Sequence, residues 1–165
     1  MSEILSELNL LSIDFHGTWS DVTGHNAPLF DGQNSALPEY SANGCVERWV
    51  RGGASKSKIN LALPFYGRSY GDAKGLNQVY NGADLLHFWA DEGKPQYYNI
   101  IDQLPDMISL RDDVTKTQFA WFESGGFLSF DDSQAICDKI VSRELSLLFL
   151  YSSWCIRTYA DLLLF

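Results

Sequence analysis

The sequence predicts an α/β chain, and three observations carry that prediction. Residues 8–15 and 58–63 both read as strands, the second alternating Ile59, Leu61 and Leu63 with Asn60 and Ala62. A single short helical stretch lies between them, so the order strand, loop, helix, strand describes a parallel βαβ unit. Directly past the breaks at Pro64 and Gly67 stand Tyr66 and Arg68. A strand that delivers aromatic and polar groups beyond its C-terminal end is how a (β/α)8 barrel builds a site.

In chain order, the first strand ends with Asp14, followed by His16 and Gly17. Residues 18–43 are rich in turn formers (Gly24, Asn26, Pro28, Gly32, Asn34, Pro38), and ordered connections of that length tend to be functional. Residues 43–53 predict a brief helix with Val46, Trp49 and Val50 on one face, stopped by Gly52 and Gly53. From residue 71 the character changes. Residues 82–93 predict a helix with Leu85, Phe88 and Trp89 on one side and Gly93 at its end. Residues 95–104 predict a second, with Tyr97, Ile100, Ile101 and Leu104 in register, Pro95 at its first position and Pro105 at its end. Aromatic strands at 117–122 and 127–130 flank Glu123, Ser124, Gly125 and Gly126, which is a hairpin signal. Asp131 is expected to cap a last helix, with Gln134 in the capping-box position and Ile136, Cys137, Ile140 and Val141 on its apolar face. Residues 145–151 form a continuous apolar run, as in a strand buried on both faces. Three segments follow: 1–70 with strands, loop and helix, 71–130 as an α+β insert, and 131–165 as a last helix and strand.

Composition narrows the function. The 165 residues suit one domain, and 45% hydrophobic with 14% aromatic residues supports a real core. A net charge of −9 argues against nucleic-acid and anionic-membrane partners, which need basic patches. A neutral polysaccharide is compatible with it. Cys45, Cys137 and Cys155 lack metal-motif spacing, are odd in number, and are expected to be buried free thiols. No metal and no cofactor is expected; His16 and His25 read as hydrogen-bonded loop residues. Residues 1–9 show no signal-peptide pattern, which leaves the location of the protein open.

The stretch Ile13-Asp-Phe-His-Gly-Thr-Trp-Ser-Asp-Val-Thr-Gly-His-Asn-Ala-Pro-Leu29 resembles the sixth-strand segment of family 18 glycoside hydrolases, the chitinases. Their pattern runs M-x-Y-D-F-H-G-x-W, then T-G-H-N-x-P-L. Leu63-Pro-Phe-Tyr-Gly-Arg-Ser69 resembles their seventh-strand P-x-Y-G-R, and 71–130 resembles the chitinase insertion domain. The resemblance implies a partial TIM (β/α)8 barrel, its last three strands, carrying an α+β insertion domain. It also implies binding of chitin or other β-1,4-linked N-acetylglucosamine oligosaccharides. Family members hydrolyse these by substrate-assisted catalysis, in which the sugar's own N-acetyl oxygen attacks the anomeric carbon. Their acid is a glutamate in D-x-x-D-x-D-x-E, a motif absent from these residues, so no catalytic residue is expected here.

Substrate-binding residues implied by the resemblance are Asp14, Tyr66, Arg68, Tyr151 and Trp154. Asp14 matches an aspartate in the network around the acetamido group. Tyr66 offers a sugar-stacking face with a hydroxyl, and Arg68 a rigid fork of donors. Ile13 replaces the family's tyrosine, whose hydroxyl steadies the N-acetyl oxygen, and Leu11 replaces methionine. Tyr151 stands closest to the tryptophan expected in the last strand, with Trp154 just beyond. The run from 145 departs from the family pattern, and the reading frame is expected to diverge after about Val141. The pairs Asp112-Asp113 and Asp131-Asp132 read as a solvated loop and a helix cap, and Trp89, Trp121 and Phe122 as core. Three barrel strands cannot close, and their open edges invite self-association. The alternatives are a non-catalytic chitin-binding lectin of the same family, or a truncated gene product without independent function.

Overall fold

The computed structural model describes residues 5–32 and 40–142. The chain opens with strand β1 (Leu8–Leu10), helix α1 (Ala42–Arg51) and strand β2 (Ile59–Leu61). β1 and β2 pair in parallel, Leu8 opposite Ile59 and Leu10 opposite Leu61, which is the βαβ unit expected from sequence. Both strands are shorter than their sequence patterns. Beyond Leu10 the chain leaves the ladder and turns at Asp14, whose φ of 58° is left-handed.

Ser41 starts α1 by accepting from the Gly44 N–H at 3.1 Å, and Gly52 and Gly53 close it by donating to the Arg48 and Val50 carbonyls. Its buried face is Ala42, Gly44 and Val46; Trp49, expected on that face, is exposed.

After β2 the chain enters a four-stranded antiparallel sheet through β3 (Arg68–Tyr70). Its other strands are β4 (Ile108–Asp112), β5 (Thr117–Trp121) and β6 (Phe127–Phe130), in the order β3-β6-β5-β4. β5 and β6 form the expected hairpin; β3 and β4 were not legible as strands. Side chains alternate along β6. Leu128 and Phe130 face a core with Phe88, Ile100, Met107, Ala120 and Phe122. Phe127 joins Tyr70 and Ala73 in a second cluster. Gly67 lets the chain pass close over this sheet, since a Cβ there would lie 2.6 Å from Leu128 Cδ1 and 3.0 Å from the Ser129 carbonyl.

Helix α2 (Tyr97–Gln103) falls where expected and tightens into a 3-10 turn, Leu104–Asp106. Residues 82–93 do not form a helix. They make turns and one 3-10 turn, Trp89–Asp91. Asp84 accepts from the His87 N–H at 3.2 Å, and such local side-chain bonds compete with the helical ladder. Glu92 and Gly93 are both left-handed. Phe88 is buried, but Leu85 and Trp89 are exposed, Trp89 at 75%, so Trp89 is not a core residue.

Helix α3 (Ser133–Val141) is capped by Asp132, which accepts from the Ala135 N–H at 2.8 Å, and not by Asp131. Asp131 is buried and accepts a hydrogen bond from Lys139, and the buried residues of α3 are Ala135 and Lys139, while Val141 is exposed. Cys137 is disulfide-bonded, against the expectation for that residue, while half-buried Cys45 is in no disulfide, as expected. The strand expected at 145–151, with Tyr151 and Trp154, lies outside the described residues. Among the described residues the strands form one parallel pair and one antiparallel sheet, and no closed barrel.

Candidate functional site

The two segments singled out in the sequence meet where the turn after β1 reaches the start of β3. Arg68 Nε and Nη2 both donate to Asp14 Oδ1, at 2.9 and 2.7 Å. Both side chains are mostly shielded, at 15% and 31% exposure, so the pair is stronger than a surface ion pair. The Arg68 guanidinium also lies 4.7 Å from the Trp19 ring centre and 5.7 Å from that of Tyr66. Burial, then the neighbouring Asp14 carboxylate, pushes the Tyr66 phenol up to about 12, so it stays protonated. Trp19 remains 59% exposed beside this polar group. A carboxylate, a guanidinium, a phenol and an open indole face together suit an uncharged ligand rich in hydroxyl and amide groups.

Asn26 holds the two segments together. It is fully buried; its side-chain oxygen accepts from the Asp14 N–H at 3.3 Å, and its amide donates to the Tyr66 carbonyl at 3.2 Å. Its own carbonyl accepts from the Phe15 N–H at 2.9 Å. These bonds maintain the left-handed turn at Asp14, a conformation that aspartate tolerates better than most residues. The Asn26 N–H donates to Ser129 Oγ at 3.2 Å, which ties the same turn to β6.

His25 extends that tie. Its Nε2–H donates to Asp112 Oδ2 at 3.2 Å, because a carboxylate only accepts, and Nδ1 then accepts from the Ser129 hydroxyl at 3.2 Å. The His25 bond, reinforced by the Thr115 and Val114 N–H groups against the opposing effect of burial, holds the Asp112 carboxyl well below the usual range. Asp112 is therefore a half-buried partner of His25, not part of a solvated loop. His16 lies nearby; burial and then the neighbouring His25 imidazole lower its pKa, and its Nδ1 has no partner. Among the described residues no group of three or more His, Cys, Asp or Glu side chains could hold a metal.

Sequence reasoning missed two contributors. The first is Asn26 as the clamp, since its role depends on a carbonyl 40 residues away. The second is Lys94, whose Nζ stands 4.1 Å from the Tyr66 ring centre. Lys94 arrives because residues 95–97 pair with the Tyr66 segment: Gly67 N–H donates to the Pro95 carbonyl, and Tyr97 N–H to that of Phe65, each at 2.9 Å. A lysine after a glycine in an insert carries no local signal of that placement.

The fold and this cluster define part of a chitinase-like α/β protein. The chain belongs to glycosyl hydrolases family 18, which it matches over residues 1–149. It is 28% identical over 163 residues to endochitinase 1 of Metarhizium anisopliae, covering 88% of this chain and 38% of that protein. It is 35% identical over 83 residues to chitinase 1 of Aphanocladium album, covering 50% of this chain and 20% of that one. Among solved structures, the group IV chitinase of Ostrinia furnacalis superposes with a TM-score of 0.74 at 28% identity, over 84% of this chain and 40% of that one. The class V chitinase of Nicotiana tobaccum gives the same TM-score at 24% identity, a likeness of fold. The chain thus spans well under half the length of these relatives.

Proposed function

We propose that this chain is a chitinase-like saccharide-binding unit that recognises β-1,4-linked N-acetylglucosamine oligomers through Asp14, Tyr66 and Arg68. The observation that carries the reading is the Asp14–Arg68–Tyr66 cluster, gathered beside the open face of Trp19 in a family 18 chain. Tyr151 and Trp154 belong to the same reading by their place in the family pattern. The finer architecture proposed is three strands of a (β/α)8 barrel, with 71–130 as the insertion domain and 131–165 as the last helix and strand. The surface of such a unit would also support self-association through its strand edges.

Binding without hydrolysis is the expected behaviour of these residues alone. Substrate-assisted hydrolysis needs a protonated glutamate, and these 165 residues contain no D-x-x-D-x-D-x-E motif. Ile13, half-buried next to Asp14, has no hydroxyl to steady the N-acetyl oxygen. The loss of that donor favours a lectin-like role as the second reading.

Heteronuclear NMR of the purified chain, titrated with the N-acetylglucosamine tetramer, tests the proposal. Shifts confined to resonances of Asp14, Trp19, Tyr66 and Arg68 support it. A dispersed spectrum that the sugar leaves unchanged overturns it. Hydrolysis of the tetramer after mixing with a protein carrying the glutamate motif would favour the enzyme reading over the lectin.

A further inference from the structure

A second cluster lies outside the saccharide site, where the residues 82–93 turns meet the β5–β6 hairpin. The Asp84 carboxylate is buried and holds His87: Nδ1 lies 2.9 and 3.0 Å from its two oxygens. A carboxylate only accepts, so Nδ1 carries the proton and Nε2 presents its lone pair. That lone pair faces Ser124 Oγ at 3.4 Å. Separations of this length commonly tighten only when substrate is bound. The imidazole stacks on Phe122, with ring centres 3.6 Å apart and planes 10° from parallel, which fixes its orientation.

The hairpin is built to come this close. Gly126 has a φ of +120°, and a Cβ there would lie 2.4 Å from Asp84 Oδ2 and 3.1 Å from His87 Nδ1. Ser124 is exposed at the turn. It borders a cleft of about 290 Å³ with Asp72, Asn81, Leu85 and Leu86.

We propose that Asp84, His87 and Ser124 form a serine-nucleophile site that cleaves small uncharged carboxylic esters. Ser124 Oγ bonds to the ester carbonyl carbon while its proton passes to His87 Nε2. The carbon–oxygen bond to the alcohol then breaks, and the leaving oxygen takes that proton. Water, giving a proton to the same nitrogen, attacks the acyl carbon; Ser124 leaves with the proton, and acid and alcohol are the net products. Asp84 holds the tautomer and balances the imidazolium. The Gly125 and Gly126 N–H groups are committed to the Phe122 and Ala73 carbonyls. Asn81 lines the same cleft as Ser124 and its amide spends one hydrogen on Asp72 at 3.3 Å, so its second N–H is the oxyanion donor in this proposal. Leu85 and Leu86 receive the acyl chain, and the two carboxylates of the cleft turn away anionic esters.

The test treats the full chain with a fluorophosphonate probe and, separately, with p-nitrophenyl acetate. The expected result is a single covalent adduct mapped to Ser124 by mass spectrometry. Ser124→Ala, a change at an exposed turn, abolishes both the adduct and the turnover. His87→Gln slows labelling by at least about a hundredfold, the range that a positioned general base supplies. No adduct at Ser124, unchanged turnover in Ser124→Ala, or equal labelling of a folded His87→Gln would each overturn the proposal. None of these readouts depends on saccharide binding.

Discussion

Arg68 sends two N–H groups to one oxygen of Asp14, across 54 residues of sequence. The arrangement uses Oδ1 for the guanidinium and leaves Oδ2 without a bond to it. A carboxylate fixed by arginine on one oxygen presents the other in a set direction, which is how a binding site gains orientation without losing charge compensation. Asn26 sets the backbone on both sides of this contact, so the pair is held by the fold and not by its own attraction alone.

The fork geometry gives the first prediction. Arg68→Lys keeps the charge but replaces two fixed donors by one mobile ammonium. We expect affinity for the N-acetylglucosamine tetramer to fall about tenfold, or about 1.4 kcal/mol. Asp14→Asn is expected to weaken binding at least as much. Isothermal titration calorimetry measures both, and unchanged affinity in the two variants would remove Asp14 and Arg68 from the site.

Asn26→Ala strands two partly buried backbone groups, the Asp14 N–H and the Tyr66 carbonyl. A fully buried unsatisfied group costs about 1–3 kcal/mol, so urea unfolding should show a loss of about 1–3 kcal/mol for these two partly buried groups together. The variant should also weaken saccharide binding, because the left-handed turn at Asp14 loses its partner. A stable variant with intact binding would contradict the clamp.

The His25–Asp112 contact predicts an acid limb in stability. The folded carboxyl is held below its ordinary value of 3.8, so the unfolded chain takes up the proton at a higher pH than the folded chain does. The contribution is complete above that value and declines as pH falls below it toward the folded pKa. Thermal melts from pH 6 to pH 3 should steepen in their loss below about pH 4. Asp112→Asn should be less stable near neutrality and flatter on that limb. An identical pH profile in the variant would show that other carboxylates govern the limb.

The Lys139–Asp131 pair is almost fully enclosed, at 2% and 0% exposure. Burial lowers the lysine pKa and raises that of the aspartate, and their attraction opposes both shifts. Lys139→Ala leaves a carboxylate buried without its cation and should cost about 3–5 kcal/mol. Replacing both with well-packed apolar residues, as in Asp131→Leu with Lys139→Met, should recover most of that loss. A double-mutant cycle by denaturant unfolding gives the coupling.

Much of the local structure was legible. The glycines after Arg51 marked the end of α1, and four turn residues between aromatic runs marked the β5–β6 hairpin. Asp14, Tyr66 and Arg68 were legible as candidates through motif spacing. The stretch 82–93 misled because its apolar spacing suits a helix, while Asp84 offers the backbone a competing turn. One residue of each acidic pair, Asp112 and Asp131, misled for a related reason, while Asp132 caps α3 as the pair predicted. Charge predicts solvent, yet Asp112 and Asp131 are paid back for burial by His25 and Lys139.

By itself the sequence determined the strand–helix–strand order of β1, α1 and β2, the end of α1 and the β5–β6 hairpin, because those depend on residues close in the chain. It also determined the family, through motifs that lie within single segments. Only the tertiary structure decided that Asp14 meets Arg68, that Lys94 covers the Tyr66 ring, and that His87 lies between Asp84 and Ser124. Most of those partners are tens of residues apart, and their geometry exists only once β3 has paired with β6 and the Asn26 turn has closed. Chain connectivity sets what each residue can do; packing sets which residue it does it with.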